Sequence, residues 1–198
     1  MKKNTRRQIL DTAKRLFNEH GYNDVSLKDI ADEVGISKGN LTYHFSKKEN
    51  IMESLLLDGP NSKPHLTAST LNELDFIIKD MQQAVQKNTY YFLYHAQLSD
   101  LSPKIAAVQN QVYQDILNTF RQTFKNLNDQ GLLRDEAFDH EYDRMIDMLH
   151  MAIIYWAPFT NLRNNTAISP DYRTHAWSII HHLLTEKGKN ELKTIISL

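Results

Sequence analysis

Apolar residues recur along this chain at helical spacing, and no stretch alternates as a strand would. Ile9, Ala13, Leu16 and Phe17 share one face of a predicted helix over residues 6–20, with Arg6, Arg7, Lys14 and Arg15 around it and Gly21 at its end. A second helix starts at Ser26, which with Asp29 three residues on makes a capping box. Its buried stripe is Leu27, Ile30, Ala31 and Val34, and Gly35 can end it because glycine enters the left-handed conformation freely. Ile36 turns inward and Ser37 caps a third helix, from Lys38 to about Phe45, whose narrow apolar edge is Leu41 and Phe45. Two short helices joined by so tight a turn predict a helix-turn-helix over about residues 26–45.

A linking helix follows over 47–58, with Ile51, Met52, Leu55 and Leu56, until Gly59-Pro60-Asn61-Ser62-Lys63-Pro64 breaks it. The expected organisation is therefore a head, residues 1–50 with the linking helix, and a body, residues 59–198. The body reads as helices throughout, so the fold class is all-α. Leu71, Leu74, Ile77, Ile78, Met81 and Val85 predict one helix from Thr67 that runs on through Tyr90-Tyr91-Phe92 to Leu98. Pro103 suits the first turn of the next helix, which continues to Gly131. From Asp139 to about Asn164, Tyr142, Met145, Ile146, Leu149, Ala152, Ile153 and Trp156 form one apolar face, while Met148, Met151 and Tyr155 add a second. A helix apolar on two sides has to bury both. Pro158 kinks or ends it. A last long helix, entered through Ser169-Pro170, carries Tyr172, Ala176, Ile179, Ile180, Leu183 and Leu184, and the pattern leaves 187–198 open.

The third helix carries the chemistry. Its outward positions, Lys38, Gly39, Asn40, Thr42, Tyr43 and His44, are almost all hydrogen-bonding groups, and the DNA major groove admits a helix of this size. Asn40 and Thr42 suit base edges. Lys38, Tyr43 and His44 suit phosphates, and Gly39 allows close backbone approach. A polar surface helix without a nucleic-acid partner is the alternative, leaving a small-molecule-binding or protein-interaction module.

Phe17, Glu19, Gly21-Tyr22, Ser26, Asp29-Ile30-Ala31, Gly35, Ser37-Lys38-Gly39, Leu41, Tyr43-His44-Phe45 and Lys48-Glu49 together resemble the N-terminal domain of the tetracycline-repressor (TetR/AcrR) family of transcriptional regulators. The resemblance covers roughly residues 6–58. It implies an all-helical homodimer acting as a ligand-relieved repressor on a near-palindromic double-stranded DNA operator. By position it assigns Ser26, Lys28, Ser37, Lys38, Gly39, Asn40, Thr42, Tyr43, His44 and Lys48 to the DNA-facing surface. It further implies a body that senses a small-molecule effector, largely apolar or aromatic, for which Tyr91, Phe92, Tyr94, His95, Phe120, Phe124, Tyr155 and Trp156 are candidate lining; aromatics at helical spacing more often belong to a core than to a pocket. The last two long helices would form a four-helix bundle with a two-fold mate, through Tyr142, Ile146, Leu149, Ile153, Tyr172, Ala176, Ile179, Ile180 and Leu183. Three positions depart from the family pattern. Val25 replaces a common threonine, Thr42 a common aromatic, and Lys47 a common cap, so that Ser46 with Glu49 is expected to start the fourth helix one residue early.

Composition narrows the alternatives. With 41% hydrophobic and 24% charged residues, the chain reads as an ordinary globular protein. The N-terminus lacks a signal-peptide core and no apolar run approaches a bilayer span, which predicts a cytoplasmic protein without a membrane partner. The absence of cysteine removes thiol catalysis and cysteine-ligated zinc. The nine histidines lack metal-ligand spacing, and no nucleophile elbow, phosphate-binding glycine loop or H-E-x-x-H is present, so neither a cofactor, a metal nor an enzymatic role is expected. A formal charge of −1 conceals an asymmetry: residues 1–50 hold ten Lys or Arg against seven Asp or Glu, and the rest carries −4. The head is the basic part, so its DNA binding should weaken as salt rises.

Overall fold

Helix boundaries in the computed structural model, which describes residues 5–57, 66–162 and 171–196, trace to residues that satisfy or withhold backbone hydrogen bonds. Among the described residues there are eleven α-helices: α1 (Thr5–His20), α2 (Leu27–Val34), α3 (Lys38–His44), α4 (Lys48–Leu57), α5 (Leu71–Lys87), α6 (Thr89–Leu101), α7 (Pro103–Asp129), α8 (Glu141–Ile154), α9 (Trp156–Leu162), α10 (Tyr172–Ile180) and α11 (Glu186–Ile195). Extended backbone pairs among them only at an isolated antiparallel bridge, Leu133 with Leu184. The chain is all-α, as its periodicity implies.

Four boundaries differ from expectation. The helix expected over 67–98 is two helices, divided at Asn88 (φ −134°, ψ 40°). Asparagine and the β-branched Thr89 are poor helix formers, and the Asn88 carbonyl serves instead as the first acceptor of α6, from the Tyr91 amide at 2.8 Å. The helix expected over 139–164 breaks at Tyr155. Pro158 has no N–H for the Ile154 carbonyl and its ring crowds that carbonyl, so α8 stops at Ile154 and α9 restarts. The last long helix, expected through Leu184, ends at Ile180 and tightens into a 3₁₀ turn at His181–Leu183, and the residues that the pattern leaves open form α11, which Thr185 caps through the Gly188 amide. Ser169-Pro170 and the linker at 59–64 lie outside the described residues. Asp171 is the cap of α10, accepting from the amides of Arg173 and Thr174. Finally, α4 does not start early through Ser46 and Glu49. Asn50 reaches back to the Lys47 amide (3.2 Å) and takes the Ser46 hydroxyl (3.0 Å).

Packing groups the chain into two compact units, Met1–Lys63 with Asn88–Gln111, and Pro64–Lys87 with Val112–Leu198. The expected cut at 59 leaves α6 in the body, but its buried residues pack with the head. Tyr90, Tyr91, Leu98 and Ile105 join Ile9, Ala13, Phe17, Ile30, Leu41 and Ile51 in one core. The Phe17 ring meets those of Tyr22 and Tyr90 at 5.2 and 6.0 Å, in tilted or edge-on arrangements that favour aromatic pairs.

The second unit is built around α5, the later part of α7, α8 and α10. Its core includes Leu74, Ile78, Phe124, Leu127, Ile146, Leu149, Tyr172 and Ile180. Two carboxylates are buried in this unit, Asp75 and Glu141. Asp75 takes two guanidinium hydrogen bonds from Arg173 (2.6 and 3.0 Å), the Trp177 indole N–H (2.9 Å) and the Lys79 ammonium (2.9 Å). Arg173 also donates to the Ile195 carbonyl, so one cluster ties α5, α10 and α11. At Gly188, α11 approaches the Leu132 carbonyl so closely that a Cβ would lie 2.3 Å from its oxygen, which admits no larger residue.

Candidate nucleic-acid interface

The helix-turn-helix is fixed by caps at three of its four ends. Ser26 accepts from the Asp29 amide (3.2 Å) while Asp29 accepts from the Ser26 amide (2.8 Å), a reciprocal box. Those hydrogen bonds hold the Asp29 carboxyl below the usual carboxylate range. At the other end of α2, Gly35 adopts φ 77°, and the amides of Gly35 and Ile36 return to the carbonyls of Asp32 and Ala31. This pattern needs a left-handed residue, which glycine supplies without strain. Ser37 then accepts from the Asn40 amide at 3.1 Å to start α3.

With its backbone so set, α3 buries Leu41 and its C-cap residue Phe45. Lys38, Gly39, Asn40 and Tyr43 are exposed, Thr42 and His44 half-exposed, and Ser26, Lys28 and Ser37 stand open on the same motif. Tyr43 is 85% exposed, with its ring edge-on to His44 at 5.3 Å. An aromatic ring so bare has no packing role in the protomer, and its hydroxyl is free to meet a phosphate. The Thr42 hydroxyl donates to the Gly39 carbonyl (3.1 Å), so its donor is used within the helix and its methyl remains for a base edge. Arg6 is drawn inward, its guanidinium over the Phe45 ring (5.3 Å) and hydrogen-bonded to Ser54 (2.9 Å). Arg7 pairs with Asp11 on the surface.

Lys48 departs from its expected place on the DNA-facing surface. Its ammonium is turned into the head and donates to the carbonyls of Tyr22 (2.6 Å), Val25 (2.8 Å) and Asn23 (3.3 Å), with the Tyr22 ring 4.3 Å away.

The expected effector-lining residues divide between the two units. Tyr91, Phe92, Tyr94 and His95 lie on α6, with Tyr91 buried and its ring edge-on to Phe92 and His95. In the second unit Phe120 and Phe124 are buried against one another, and Trp156 is buried against Tyr172 and His175, whereas Tyr155 is exposed. Most of the residues expected at a dimer surface are enclosed by their own chain. Ile146, Leu149, Ile153, Tyr172, Ala176, Ile180 and Leu183 are buried inside the protomer, and Tyr142 and Ile179 are half-buried. A residue already enclosed by its own chain has no surface left to give a mate. Met148, Met151, Tyr155, Phe159 and Leu162 on α8 and α9 are exposed apolar residues. The two-sided apolar pattern of residues 142–156 is the signal in the sequence, and it does not tell which side the protomer itself encloses. Among the described residues no cluster of His, Cys, Asp or Glu is arranged to hold a metal ion, and no helix is long and apolar enough to cross a membrane.

A capped helix-turn-helix presenting a polar second helix, followed by an all-helical body, defines a DNA-binding transcriptional regulator. Comparison with known proteins gives the family. The sequence profile described as "Bacterial regulatory proteins, tetR family" matches residues 9–55, and that of "Bacterial transcriptional repressor" matches residues 60–192. The chain belongs to the TetR family, whose matched members here are transcriptional repressors rather than enzymes. It is 28% identical over 151 residues to the HTH-type transcriptional repressor KstR2 of Rhodococcus jostii, covering 72% of each chain. Matches to two further curated repressors span 39% and 28% of those proteins' length. Among solved structures, a TetR-family regulator from Marinobacter aquaeolei shares the fold over 97% of both chains (TM-score 0.80, 21% identity). A transcriptional regulator from Saccharomonospora viridis, solved in complex with choline, matches 91% of this chain and 98% of its own (TM-score 0.73, 26% identity).

Proposed function

We propose that this regulator is a homodimeric, ligand-relieved repressor that binds a near-palindromic operator in the cytoplasm, where the DNA is. The observation that carries the reading is the exposed polar face of α3, Lys38, Gly39, Asn40, Thr42, Tyr43 and His44, on a motif whose caps leave it little freedom. Asn40 and Thr42 read base edges. Ser26, Lys28, Ser37, Lys38, Tyr43 and His44 set register on the phosphates, and Gly39 lets the backbone come close.

Dimerisation rests on the stripe Met148, Met151, Tyr155, Phe159 and Leu162, which is apolar, exposed and confined to α8 and α9. Two copies joined by a two-fold axis bring two recognition helices to half-sites about 34–36 Å apart, so the operator is expected to mirror that symmetry. Relief by an effector fits an aromatic-rich body and the choline held by the Saccharomonospora viridis regulator. The effector lowers operator affinity only as far as it binds the two states unequally.

Selection of bound fragments from random duplex DNA, with sedimentation of protein alone and with its selected duplex, tests the reading. Two inverted half-sites and two chains per duplex are the expected result. Enrichment of no sequence, or one chain on one half-site, overturns it. A screen of apolar and cationic small molecules for release of the selected duplex tests the sensor, and compounds that bind the chain without changing DNA affinity count against it.

A further inference from the structure

Lysine at the first position of α4 is out of keeping with local rules, since a helix start favours negative charge. The surroundings of its ammonium account for it. Three carbonyl oxygens, of Tyr22, Asn23 and Val25, converge on Nζ, and the face of the Tyr22 ring covers it at 4.3 Å. An ammonium has three N–H donors and no more, and here each has an acceptor. Arginine's planar fork does not reproduce three converging bonds to so compact a set.

The position of this cage in the chain gives it a use. Val25 immediately precedes the α2 cap Ser26, and Lys48 follows the last residue of α3 by four, so the ammonium joins the two flanks of the helix-turn-helix to one another. The ring beneath it is itself fixed. Tyr22 packs edge-on against Phe17 of α1 (5.2 Å) and Tyr94 of α6 (6.4 Å).

We propose that Lys48 is a positioning residue for operator recognition, a clasp that holds the angle at which α2 and α3 are presented, and that its ammonium makes no bond to a DNA phosphate. Burial draws its pKa down, as expected of a charge withdrawn from water, while Glu49, Asp24 and Asp29 oppose that shift. The proposal rests on the reading of α3 as the DNA-facing helix.

Counterion release separates a clasp from a contact. A cation that neutralises a phosphate contributes about 0.9 to the slope of log affinity against log salt, and its removal weakens operator and unrelated duplexes alike. For Lys48→Met the expected result is an operator affinity about tenfold lower, the worth of one hydrogen bond to a charged group, with salt slope and affinity for unrelated duplex unchanged. Because the chain has no cysteine, Lys48→Cys introduces a single thiol that bromoethylamine converts to a lysine isostere. That alkylation should restore operator affinity, again without altering the slope. A slope shallower by about one with equal loss on all duplexes, or no loss of operator affinity at all, overturns the proposal. Failure of the native chain to bind any duplex at low salt instead overturns the DNA-facing assignment of α3. Should the variants not fold, NMR of the native lysine ammonium groups decides: a Lys48 signal protected from exchange and unmoved by operator DNA supports the clasp, and scalar coupling of that signal to phosphorus overturns it.

Discussion

The side-chain oxygen of Asn18, on α1, accepts a hydrogen bond from the backbone amide of Tyr90, in the first turn of α6, at 3.1 Å. The first amides of a helix have no partner within it, and Asn88, the N-cap residue, supplies no side-chain acceptor. Residue 18 thus does what a local cap does elsewhere, from 72 positions away in sequence. Asn18→Ala leaves that amide without its acceptor and is expected to destabilise the head by about 1–2 kcal/mol, read as a shift in the denaturant midpoint without a change in slope. A fragment ending at residue 58 lacks Tyr90, Tyr91, Leu98 and Ile105 from its core, and circular dichroism should find it largely unfolded.

The same pair shows why part of the architecture escaped the sequence. Caps are local, so Ser26, Asp29, Gly35 and Ser37 are legible as a motif, and the helix-turn-helix follows from them. Asn88 sits between an amphipathic run and an aromatic one, both at helical spacing, and nothing nearby reveals that an asparagine on α1 rewards a break there. Periodicity also reports that residues 142–156 have two apolar sides without reporting which faces inward. That choice depends on Tyr172, Ala176 and Ile180, which come from a helix distant in sequence. At Lys48 the difficulty is reach, since a four-carbon stem lets an ammonium point outward or inward and only the loop at 22–25 decides.

Two carboxylates make the second unit sensitive to acid. Burial alone would push the Asp75 carboxyl up, but hydrogen bonds from Arg173, Trp177 and Lys79 outweigh it and hold it below the usual carboxylate range. The Arg134 guanidinium and the Ala137 amide draw Glu141 down from 4.5 to about 2. Both folded-state values lie below the unfolded ones, so their stabilisation is complete above the unfolded pKa and is lost as pH falls through the folded one. For Glu141 that window runs from about 4.5 down to about 2. Urea midpoints measured across it should fall, and Glu141→Gln should flatten the fall. Asp75→Asn leaves Arg173 without its ionised partner and is expected to cost about 3 kcal/mol at neutral pH.

On the recognition helix, the internal hydrogen bond from Thr42 to Gly39 makes an uncommon prediction. Thr42→Val discards a donor already spent within the helix and keeps the methyl, so operator affinity should stay within about twofold. Thr42→Ser keeps the donor and loses the methyl, and should weaken binding about fourfold, the worth of one buried methyl group. Tyr43→Ala should lower affinity for every duplex at unchanged melting temperature, because the ring packs on little but His44. Asn40→Ala should relax preference at one base position, by about 1–3 kcal/mol. Fluorescence anisotropy with operator variants at fixed salt distinguishes these outcomes.

The two apolar faces of α8 can be told apart by one pair of substitutions. Leu149 is buried in the protomer, so Leu149→Ala should cost about 2–5 kcal/mol of folding stability whatever the assembly. Met151 and Tyr155 are 56% and 57% exposed, so Met151→Glu with Tyr155→Glu removes little from the protomer's own core. It places two charges in the middle of the proposed interface, where burial without a partner is unfavourable. Sedimentation should then find a folded monomer, and that monomer should bind an isolated half-site as the native head does while losing the advantage of binding two half-sites at once. If the double substitution leaves the dimer intact, the mate is met elsewhere on the chain, and the stripe from Met148 to Leu162 needs a different partner.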